Sequence, residues 1–371
     1  MKLGLGLYRH MLARENFQFA RQAGATHLVV HLVDYFKQGD HGVEKEKRPP
    51  ETTASKASAI DSDHQPVGTD RGWGIAGDPD RLWSVEELVA LRKAIEAEGL
   101  KLEAIENFDP AHWHDVLLDG PRKQQQLENI KTIIRRVGEA GIPILGYNFS
   151  IAGVCGRVTG KFARGGAVSV GMEGPFDVPM PQGMVWNMVY DPKAPQDTLP
   201  PVSYEDLWQR FGDFLTAVAP VAEEAGVKLA AHPDDPPMPR MRAQPRLVYQ
   251  PQLYQRLLDL KPSRANALEF CLGSLAEMTE GDIYETVDQY SQQGKLAYVH
   301  FRNVRGKVPY YKETFVDDGD IDMLRVLRIL KRNQFDGVLI PDHTPQMTCA
   351  APWHAGMAYA MGYMKAALQA V

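Results

Sequence analysis

The sequence predicts a closed (β/α)₈ barrel, in which eight parallel strands alternate with eight helices. One unit recurs along the 371-residue chain: a short apolar run, an amphipathic stretch and then a glycine. The apolar runs are mostly unbroken, which is typical of parallel strands buried on both faces. Eight such units favour a closed barrel over an open doubly wound sheet, which more often has about five or six strands.

The elements follow in a regular order. The predicted strands are Leu3–Tyr8, His27–Val33, Lys101–Glu106, Ile144–Phe149, Lys228–His232, Ala267–Cys271, Leu296–Phe301 and Gly337–Ile340. The helix-like stretches after them are Glu15–Gly24, Glu86–Gly99, Gln124–Gly141, Tyr204–Gly226, Pro251–Leu260, Asp282–Gln293, Met323–Asn333 and Ala355–Ala370. Ser84 lies three residues before Glu87, which predicts a capping box at the start of the second helix.

Two segments interrupt this order, so we expect one domain over residues 1–371 with insertions at 37–80 and 158–201. Lys37–Asp80 is polar and charged, and a loose surface insertion is an equally good interpretation of it. Val158–Pro201 carries apolar residues that favour an ordered cap, namely Met172, Phe176, Met180, Met184 and Trp186. Because both insertions follow strands, we expect both on the carboxyl-end face of the barrel, over its mouth.

Composition narrows the function classes. The net charge of −6 gives no basic footprint for nucleic acid or for an anionic membrane surface. No apolar run reaches the roughly 18 residues that span a bilayer, and residues 1–5 do not resemble a signal peptide. The three cysteines are widely spaced, which argues against a disulfide framework and favours a cytoplasmic location.

Polar residues follow the predicted strands at the point where each strand ends. In strand order they are Tyr8 and Arg9; His31 and Asp34; Glu106 and Asn107; Tyr147 and Asn148; His232, Asp234 and Asp235; Glu269 and Cys271; His300, Arg302 and Asn303; and Asp342 and His343. The carboxyl ends of barrel strands converge on one site. We therefore expect these side chains to form a pocket at that end of the barrel.

Four consecutive strands end in residues that bind metals: His232, Cys271, His300 and Asp342. Neighbouring strands lie about 4.8 Å apart, so inward side chains from four of them can share one ion. A set of two imidazoles, a thiolate and a carboxylate suits Mn²⁺, Fe²⁺ or Zn²⁺ better than Mg²⁺ or Ca²⁺. Each residue taken singly is better explained otherwise, Cys271 as a small apolar core residue and His300 as a hydrogen-bonded one.

Eight segments, in the same order along the chain, resemble the mannonate dehydratase family of metal-dependent barrel lyases of hexuronate catabolism. They are Arg21–Thr26, Leu82–Glu87, Gly146–Phe149, His232–Pro237, Phe270–Ser274, Val299–Val304, Gly319–Met323 and Pro341–His343. They cover most of the chain outside the two insertions. The HPDDPP and HxRN segments are the most specific.

The resemblance implies a TIM barrel of the xylose-isomerase-like kind and elimination of water from a sugar acid, with D-mannonate going to 2-keto-3-deoxy-D-gluconate. It implies that His232, Cys271, His300 and Asp342 bind Mn²⁺ or Fe²⁺. It also implies that His343, directly after Asp342, acts in acid–base catalysis.

The chain departs from the family at two places. After Tyr147-Asn148-Phe149 the family has Met-Pro-Val and then Asp-Trp-Thr-Arg, of which this chain keeps only Arg157. The family also has a Glu followed three residues later by a His, where this chain has Glu313 and Val316. These changes predict an altered substrate pocket beside an intact metal site.

The remaining strand-end residues are assigned by their chemistry. Arg302 suits a substrate carboxylate through bidentate geometry, and its alternative is a salt bridge with Glu269 or Glu313. Tyr147 is a further catalytic candidate. Candidates for binding the substrate are Asn303, Asn148, Arg157 and His31. For Tyr147 and the two asparagines, a place behind the pocket wall is an equally good interpretation.

Two other functions remain open at this point. A sugar isomerase or epimerase would use a similar barrel and metal, but such enzymes generally prefer carboxylate and histidine ligands, and Cys271 argues against it. A non-catalytic metal- or sugar-binding barrel would have no need of His343. In each case the expected partner is a small sugar acid or sugar, together with a homo-oligomeric state and no nucleic acid or membrane.

Overall fold

The computed structural model describes residues 1–35 and 73–371, and eight strands within them form a closed parallel barrel. The strands follow one another around the barrel in chain order: β1 (Lys2–Leu7), β2 (His27–His31), β3 (Lys101–Glu106), β4 (Ile144–Tyr147), β5 (Lys228–Ala231), β6 (Asn266–Cys271), β7 (Leu296–His300) and β8 (Val338–Ile340). Pairing of Lys2 with Val338 joins β1 to β8 and closes the barrel. The predicted fold class is confirmed, and each predicted strand end lies within two residues of the observed one.

Helices occupy the stretches between the strands. Their bounds are Arg14–Gln22, Val85–Ala97, His114–Leu118, Lys123–Glu139, Tyr204–Ala225, Leu253–Leu260, Leu272–Glu277, Ile283–Gln292, Met323–Arg332 and Pro352–Ala370. The capping box at Ser84 is present: its hydroxyl accepts from the Glu87 N–H at 3.2 Å, and its own N–H donates to Glu87 Oε2 at 3.1 Å. No helix in the described part of the chain is both long and apolar enough to cross a membrane.

Successive side chains along the strands point alternately into the barrel and out toward the helices. The inner cluster consists of Val29, Ala104, Ile144, Ala230, Ala267, Ala297, Tyr298, Val338 and Ile340. The outward positions between them, such as Val30, Leu145 and Leu268, belong to the large cluster shared with the helices. The same alternation applies to the polar residues at the strand ends. A residue directly after an inward apolar residue points outward, and the next residue along the chain points inward.

The segment 158–201 carries short strands of its own. Val158–Ala163 and Ala167–Glu173 pair with each other, and the second of them pairs with Tyr310–Glu313. Val304–Lys307, which starts four residues after β7 ends, completes this four-stranded sheet. Four of its five singled-out apolar residues, Met172, Met180, Met184 and Trp186, are buried.

Only the last residues of the other segment, 37–80, are described. There the Trp73 N–H donates to the Asn187 carbonyl at 2.7 Å, and Ile75 pairs with Val189. The end of one segment thus lies against the other. The division into one domain with two insertions stays a prediction, since most of 37–80 lies outside the described residues.

Candidate metal centre and active site

A pocket opens at the carboxyl ends of the barrel strands. Fifteen described residues line it: Tyr8, His31, Tyr35, Trp73, Glu106, Asn107, Asn148, Val154, Arg157, Trp186, His232, Asp235, His300, Asp342 and His343. Trp73 and Trp186 come from the segments 37–80 and 158–201, and the others lie at or shortly after the ends of seven of the eight strands. This is the convergence that the strand-end residues predict.

Three of the four candidate metal ligands lie close enough to share an ion. Ligand atoms of His232, Cys271 and His300 all lie within 4.8 Å of one another. Cys271 and His300 are register partners at the ends of β6 and β7, and His232 directly follows β5. His232 Nδ1 lies 2.6 Å from the Pro233 carbonyl, a contact that would use its N–H and leave Nε2 for a metal.

Asp342 lies beside this trio rather than within it. Its Oδ1 is 3.5 Å from His300 Nδ1 and 3.2 Å from His343 Nε2. The other ring nitrogen of His300, Nε2, faces Glu269 Oε1 at 3.1 Å and Glu106 Oε2 at 3.4 Å. Glu106, Glu269 and His300 make a second group whose ligand atoms fall within 4.8 Å.

Several buried polar atoms at this centre make no well-aligned hydrogen bond among the described residues. Both carboxylate oxygens of Glu269 and both ring nitrogens of His300 are buried without a well-aligned hydrogen bond. Leaving such groups unsatisfied is costly, and native proteins rarely do so without a bound ion or water. The donor set of imidazole nitrogens, a sulfur and carboxylates therefore fits a divalent metal.

Charge in the centre favours a thiolate. Burial would raise the pKa of Cys271, but the Arg302 guanidinium and the neighbouring His232 and His300 rings outweigh it and lower that pKa to about 5. Arg302 Nη2 and the Ser274 N–H each lie 3.4 Å from the sulfur. Cys271 is thus ready to ligate a metal at neutral pH.

The pKa values of His232 and His300 shift upward, opposite to that of Cys271. Burial would lower the pKa of His232, but the Glu269 and Cys271 charges raise it to about 9. The pKa of His300 is likewise raised, since Asp342 and Glu106 outweigh its burial. In the metal-free protein these rings hold protons that a divalent cation would replace without changing the buried charge.

His343 is held between two carboxylates at the pocket wall. Its Nδ1 lies 3.1 Å from Glu313 Oε2, and its Nε2 faces Asp342. Burial would lower the pKa of His343, but Asp342 and Glu313 together raise it. The arrangement fixes the ring orientation and supports a proton on it, as an acid–base group requires.

Arg302 lies behind the pocket, and not among the residues that line it. Its side chain is 1% exposed, and its guanidinium pairs with Glu313 Oε1 at 2.5 Å and with Asp235 Oδ2 at 2.7 Å. Gly273 makes room for it, because a Cβ there would lie 2.1 Å from Arg302 Nε. The salt-bridge alternative with Glu313 describes the structure, and the guanidinium is not open to a substrate carboxylate.

Tyr147 and Asn303 also lie away from the pocket lining. Tyr147 is the outward residue after inward Gly146, and its ring packs among Phe108, Phe211 and Phe214 in the helix layer. The Asn303 carboxamide donates to the Val316 and Ile321 carbonyls and accepts from the Val304 and Ile321 N–H groups. It organises the loop after β7.

The structure brings Arg157, His31 and Asn148 to the pocket. The Arg157 guanidinium is buried, with Nε lacking a hydrogen bond among the described residues and Nη1 at 3.8 Å from Glu313 Oε1. His31 Nδ1 lies 3.2 Å from the Tyr35 hydroxyl. Asn148 lines the wall, but its carboxamide is already bonded to the Trp186 indole and to two backbone carbonyls.

Three pocket aromatics do not follow from the strand-end pattern. Tyr35 lies four residues past β2, and Trp73 and Trp186 come from the segments 37–80 and 158–201. Glu106 and Glu269 belong to the strand-end pattern, and the inward alternation of β3 and β6 identifies them as barrel-interior carboxylates. The sequence predicts only that the two insertions lie over the barrel mouth, and it does not indicate that Trp73 and Trp186 line the pocket.

Known proteins match this chain over most of its length. The family model for D-mannonate dehydratase matches residues 65–161 and 182–368. The mannonate dehydratase of Streptococcus pneumoniae is 31% identical over 280 residues, which cover 71% of this chain and 75% of that protein. Mannonate dehydratase 2 of Halalkalibacterium halodurans is 30% identical, with 71% and 79% covered.

Solved structures agree with these relatives. The crystal structure of mannonate dehydratase from Streptococcus suis serotype 2 superposes with a TM-score of 0.71 at 25% identity, covering 100% of this chain and 93% of that one. D-psicose 3-epimerase from Clostridium cellulolyticum H10 superposes with a TM-score of 0.53 at 12% identity, with 100% and 97% covered, and so shares the fold alone. The protein belongs to the D-mannonate dehydratase family.

Proposed function

We propose that the protein is a metal-dependent hydro-lyase that converts D-mannonate to 2-keto-3-deoxy-D-gluconate. One observation carries this proposal above the others: His232, His300, Asp342 and His343 line one pocket, and the Cys271 sulfur lies within 4.8 Å of ligand atoms of the first two. Membership of the D-mannonate dehydratase family supports the choice of reaction and substrate.

His232, Cys271, His300 and Asp342 would hold the metal, with Mn²⁺ or Fe²⁺ as the preferred ion and Zn²⁺ as a third choice. Asp342 is retained as the fourth ligand because it lines the pocket and contacts the His300 ring. When bound, the metal stabilises negative charge that develops next to the substrate carboxylate.

The reaction removes the C2 proton and the C3 hydroxyl. The C2–H electrons form a C2–C3 double bond as the C3–O bond breaks, and the leaving hydroxide takes up a proton to become water. The resulting enol then gains a proton at C3 and becomes the 2-keto acid. His343 is the group that moves a proton at this site, and Glu313 holds its ring through Nδ1.

Arg157 takes the role that the sequence suggests for Arg302. Arg157 lines the pocket, whereas Arg302 acts from behind it by holding Asp235, Glu313 and the Cys271 sulfur in place. We expect Arg157 to bind the substrate carboxylate or the oxygen next to it through charge-assisted hydrogen bonds.

Arg157→Gln is expected to lower kcat/KM by about 10- to 100-fold, because a hydrogen bond to a charged group contributes about 1.5–3 kcal/mol. The loss should fall mainly on KM. Arg305→Gln is the matched control, at an exposed arginine in the four-stranded sheet whose first strand begins directly after Arg157. Steady-state kinetics with unchanged KM in Arg157→Gln would exclude it from substrate binding.

Metal affinity is expected to rise with pH by at least about ten-fold per unit in the neutral range. In the neutral range Cys271, with a pKa of about 5, is a thiolate, whereas His232, with a pKa of about 9, carries a proton that the metal must displace. Raising the pH toward 9 removes this competing proton and so strengthens binding. Competition with a chelator of known pH dependence measures the effect, and a pH-independent affinity would contradict the proposed ligand set.

The experiment that tests the function incubates metal-free protein with D-mannonate and its C2 and C3 epimers, with and without added Mn²⁺ or Fe²⁺. We expect a keto-deoxy acid from D-mannonate only when the metal is present, and its loss when EDTA is added. Turnover of an epimer but not of D-mannonate would retain the chemistry and reject the substrate. Binding without turnover of any panel member would favour the non-catalytic alternative.

A cytoplasmic location and a homo-oligomeric state are part of the same proposal. The three cysteines are unpaired in the structure, and Cys155 and Cys271 are buried. Size-exclusion chromatography with light scattering measures the oligomeric state directly.

A further inference from the structure

Three aromatic side chains form one wall of the pocket that holds His232 and His300. Tyr35 and Trp186 stack with ring centres 5.6 Å apart, and Trp73 meets both edge-on at 5.4 and 5.5 Å. We call Tyr35, Trp73 and Trp186 the aromatic wall. The reaction proposed above assigns no role to these residues.

Trp186 is held in an unusual backbone conformation. It lies in the tight turn between Met184–Val185 and Met188–Val189, where Trp186 and Asn187 have φ of 52° and 56°. Positive φ is uncommon for a bulky residue and persists only where the surroundings enforce it. Here the Trp186 N–H donates to the Ile151 carbonyl at 2.6 Å, and a Cβ at Gly153 would lie 2.6 Å from the Trp186 carbonyl carbon.

The indole of Trp186 is tied to the metal centre through Asn148. Trp186 Nε1 donates to Asn148 Oδ1 at 3.1 Å. Asn148 Nδ2 in turn donates to the His232 and Pro233 carbonyls at 3.3 and 3.0 Å. Since these bonds occupy its carboxamide, Asn148 acts as a tether between the aromatic wall and the backbone of a metal ligand.

The two sides of the pocket differ in chemistry. The candidate metal ligands, His343 and Arg157 suit the charged, reacting end of a sugar acid. Aromatic rings offer apolar faces that suit the carbon-bound hydrogens of a polyol chain, and they exclude water from the site. A sugar acid whose carbons C1 to C3 lie at the metal must place its remaining carbons against another part of the pocket.

We propose that Trp186, tethered through Asn148, is a specificity-determining residue that contacts the sugar-acid chain beyond C3. It thereby selects which aldonates fit the pocket. This inference rests on the proposed function for its substrate class and adds a residue from outside the barrel strands to the site.

The test compares Trp186→Leu and Trp186→Phe with the wild-type, metal-loaded protein on aldonates of five, six and seven carbons. Trp186→Leu should raise KM for the preferred aldonate about ten-fold or more, with kcat changed much less, because an aromatic contact of about 1.4 kcal/mol corresponds to ten-fold in affinity. The preference for that aldonate over the other chain lengths should shrink. Trp186→Phe should lie between the two.

Trp208→Phe is the matched control, since Trp208 is equally buried in the helix Tyr204–Ala225 and lies outside the pocket. A loss confined to kcat with the chain-length preference unchanged would overturn the inference and leave Trp186 a structural residue. If Trp186→Leu does not fold, the chain-length preference of Trp186→Phe decides.

Direct binding separates this inference from the proposed function. Calorimetry on metal-loaded His343→Asn, with and without Trp186→Leu, measures aldonate affinity in the absence of turnover. Failure of the wild type to convert any aldonate would reject the proposed function. Equal affinity with and without Trp186→Leu would reject the role of Trp186, whatever the wild type converts.

Discussion

His343→Asn is expected to lower kcat for water elimination by about 10²- to 10⁴-fold, the usual contribution of general acid–base catalysis. Asparagine keeps a similar shape but cannot take up or release a proton near neutral pH. The candidate metal ligands remain, so metal content measured by mass spectrometry should stay at the wild-type level.

The control for this prediction is His10→Asn, at an exposed histidine near the end of β1. It should leave both kcat and metal content unchanged. Wild-type kcat in His343→Asn would show that another group moves the proton. Loss of metal together with activity would instead assign His343 to the metal site.

Cys271→Ser is expected to weaken metal binding by about 100-fold or more, because even residues that only support a ligand typically contribute 10- to 100-fold. The sulfur ionises with a pKa of about 5 beside Arg302, whereas a serine hydroxyl stays protonated at neutral pH. Activity should fall in step with metal occupancy, and excess metal should restore part of it.

Cys155→Ser is the matched control, since Cys155 is also a buried, unpaired cysteine. It should retain wild-type metal affinity. Equal metal affinity in Cys271→Ser and the wild type, measured by chelator competition, would remove Cys271 from the ligand set. Circular dichroism should show the same fold in all three proteins.

The barrel could be predicted almost completely because its signal is periodic. Each strand is a short apolar run followed by a helix, and burial on both faces makes the run stand out from its surroundings. The strand ends then indicated that His232, His300, Asp342 and His343 share one pocket, with Cys271 next to the two histidines that are candidate metal ligands. Cys271 taken alone does not indicate a metal ligand. Its position at the end of a barrel strand, next to two histidines, does.

Three candidate residues, Tyr147, Arg302 and Asn303, do not line the pocket, and each has a physical reason. Tyr147 ends a strand, but it alternates outward after Gly146, so its parity argues against the pocket. Asn303 and Arg302 follow β7, and their side chains suit a contact with substrate as well as they suit a contact within the protein. Only the folded structure shows that backbone groups hydrogen-bond the Asn303 carboxamide and that Asp235 and Glu313 pair with the Arg302 guanidinium.

The aromatic wall could not be predicted from the strand pattern. Trp186 depends on a turn with two consecutive residues at positive φ, and on a contact with Asn148 some 38 residues away in sequence. Neither glycine nor an Asn-Gly pair marks this turn, so the usual sequence signal is missing.

The central claim is that this pocket eliminates water from an aldonate, and NMR of the product formed in D₂O tests it most directly. Metal-loaded protein is incubated with D-mannonate, the metal is removed, and the spectrum of the sugar acid is recorded. Water elimination predicts a 2-keto-3-deoxy acid that carries one solvent deuteron at C3, because the enol gains its proton there. A product that keeps its C3 hydroxyl, with exchange or inversion at C2 alone, would contradict the claim and favour an isomerase or epimerase.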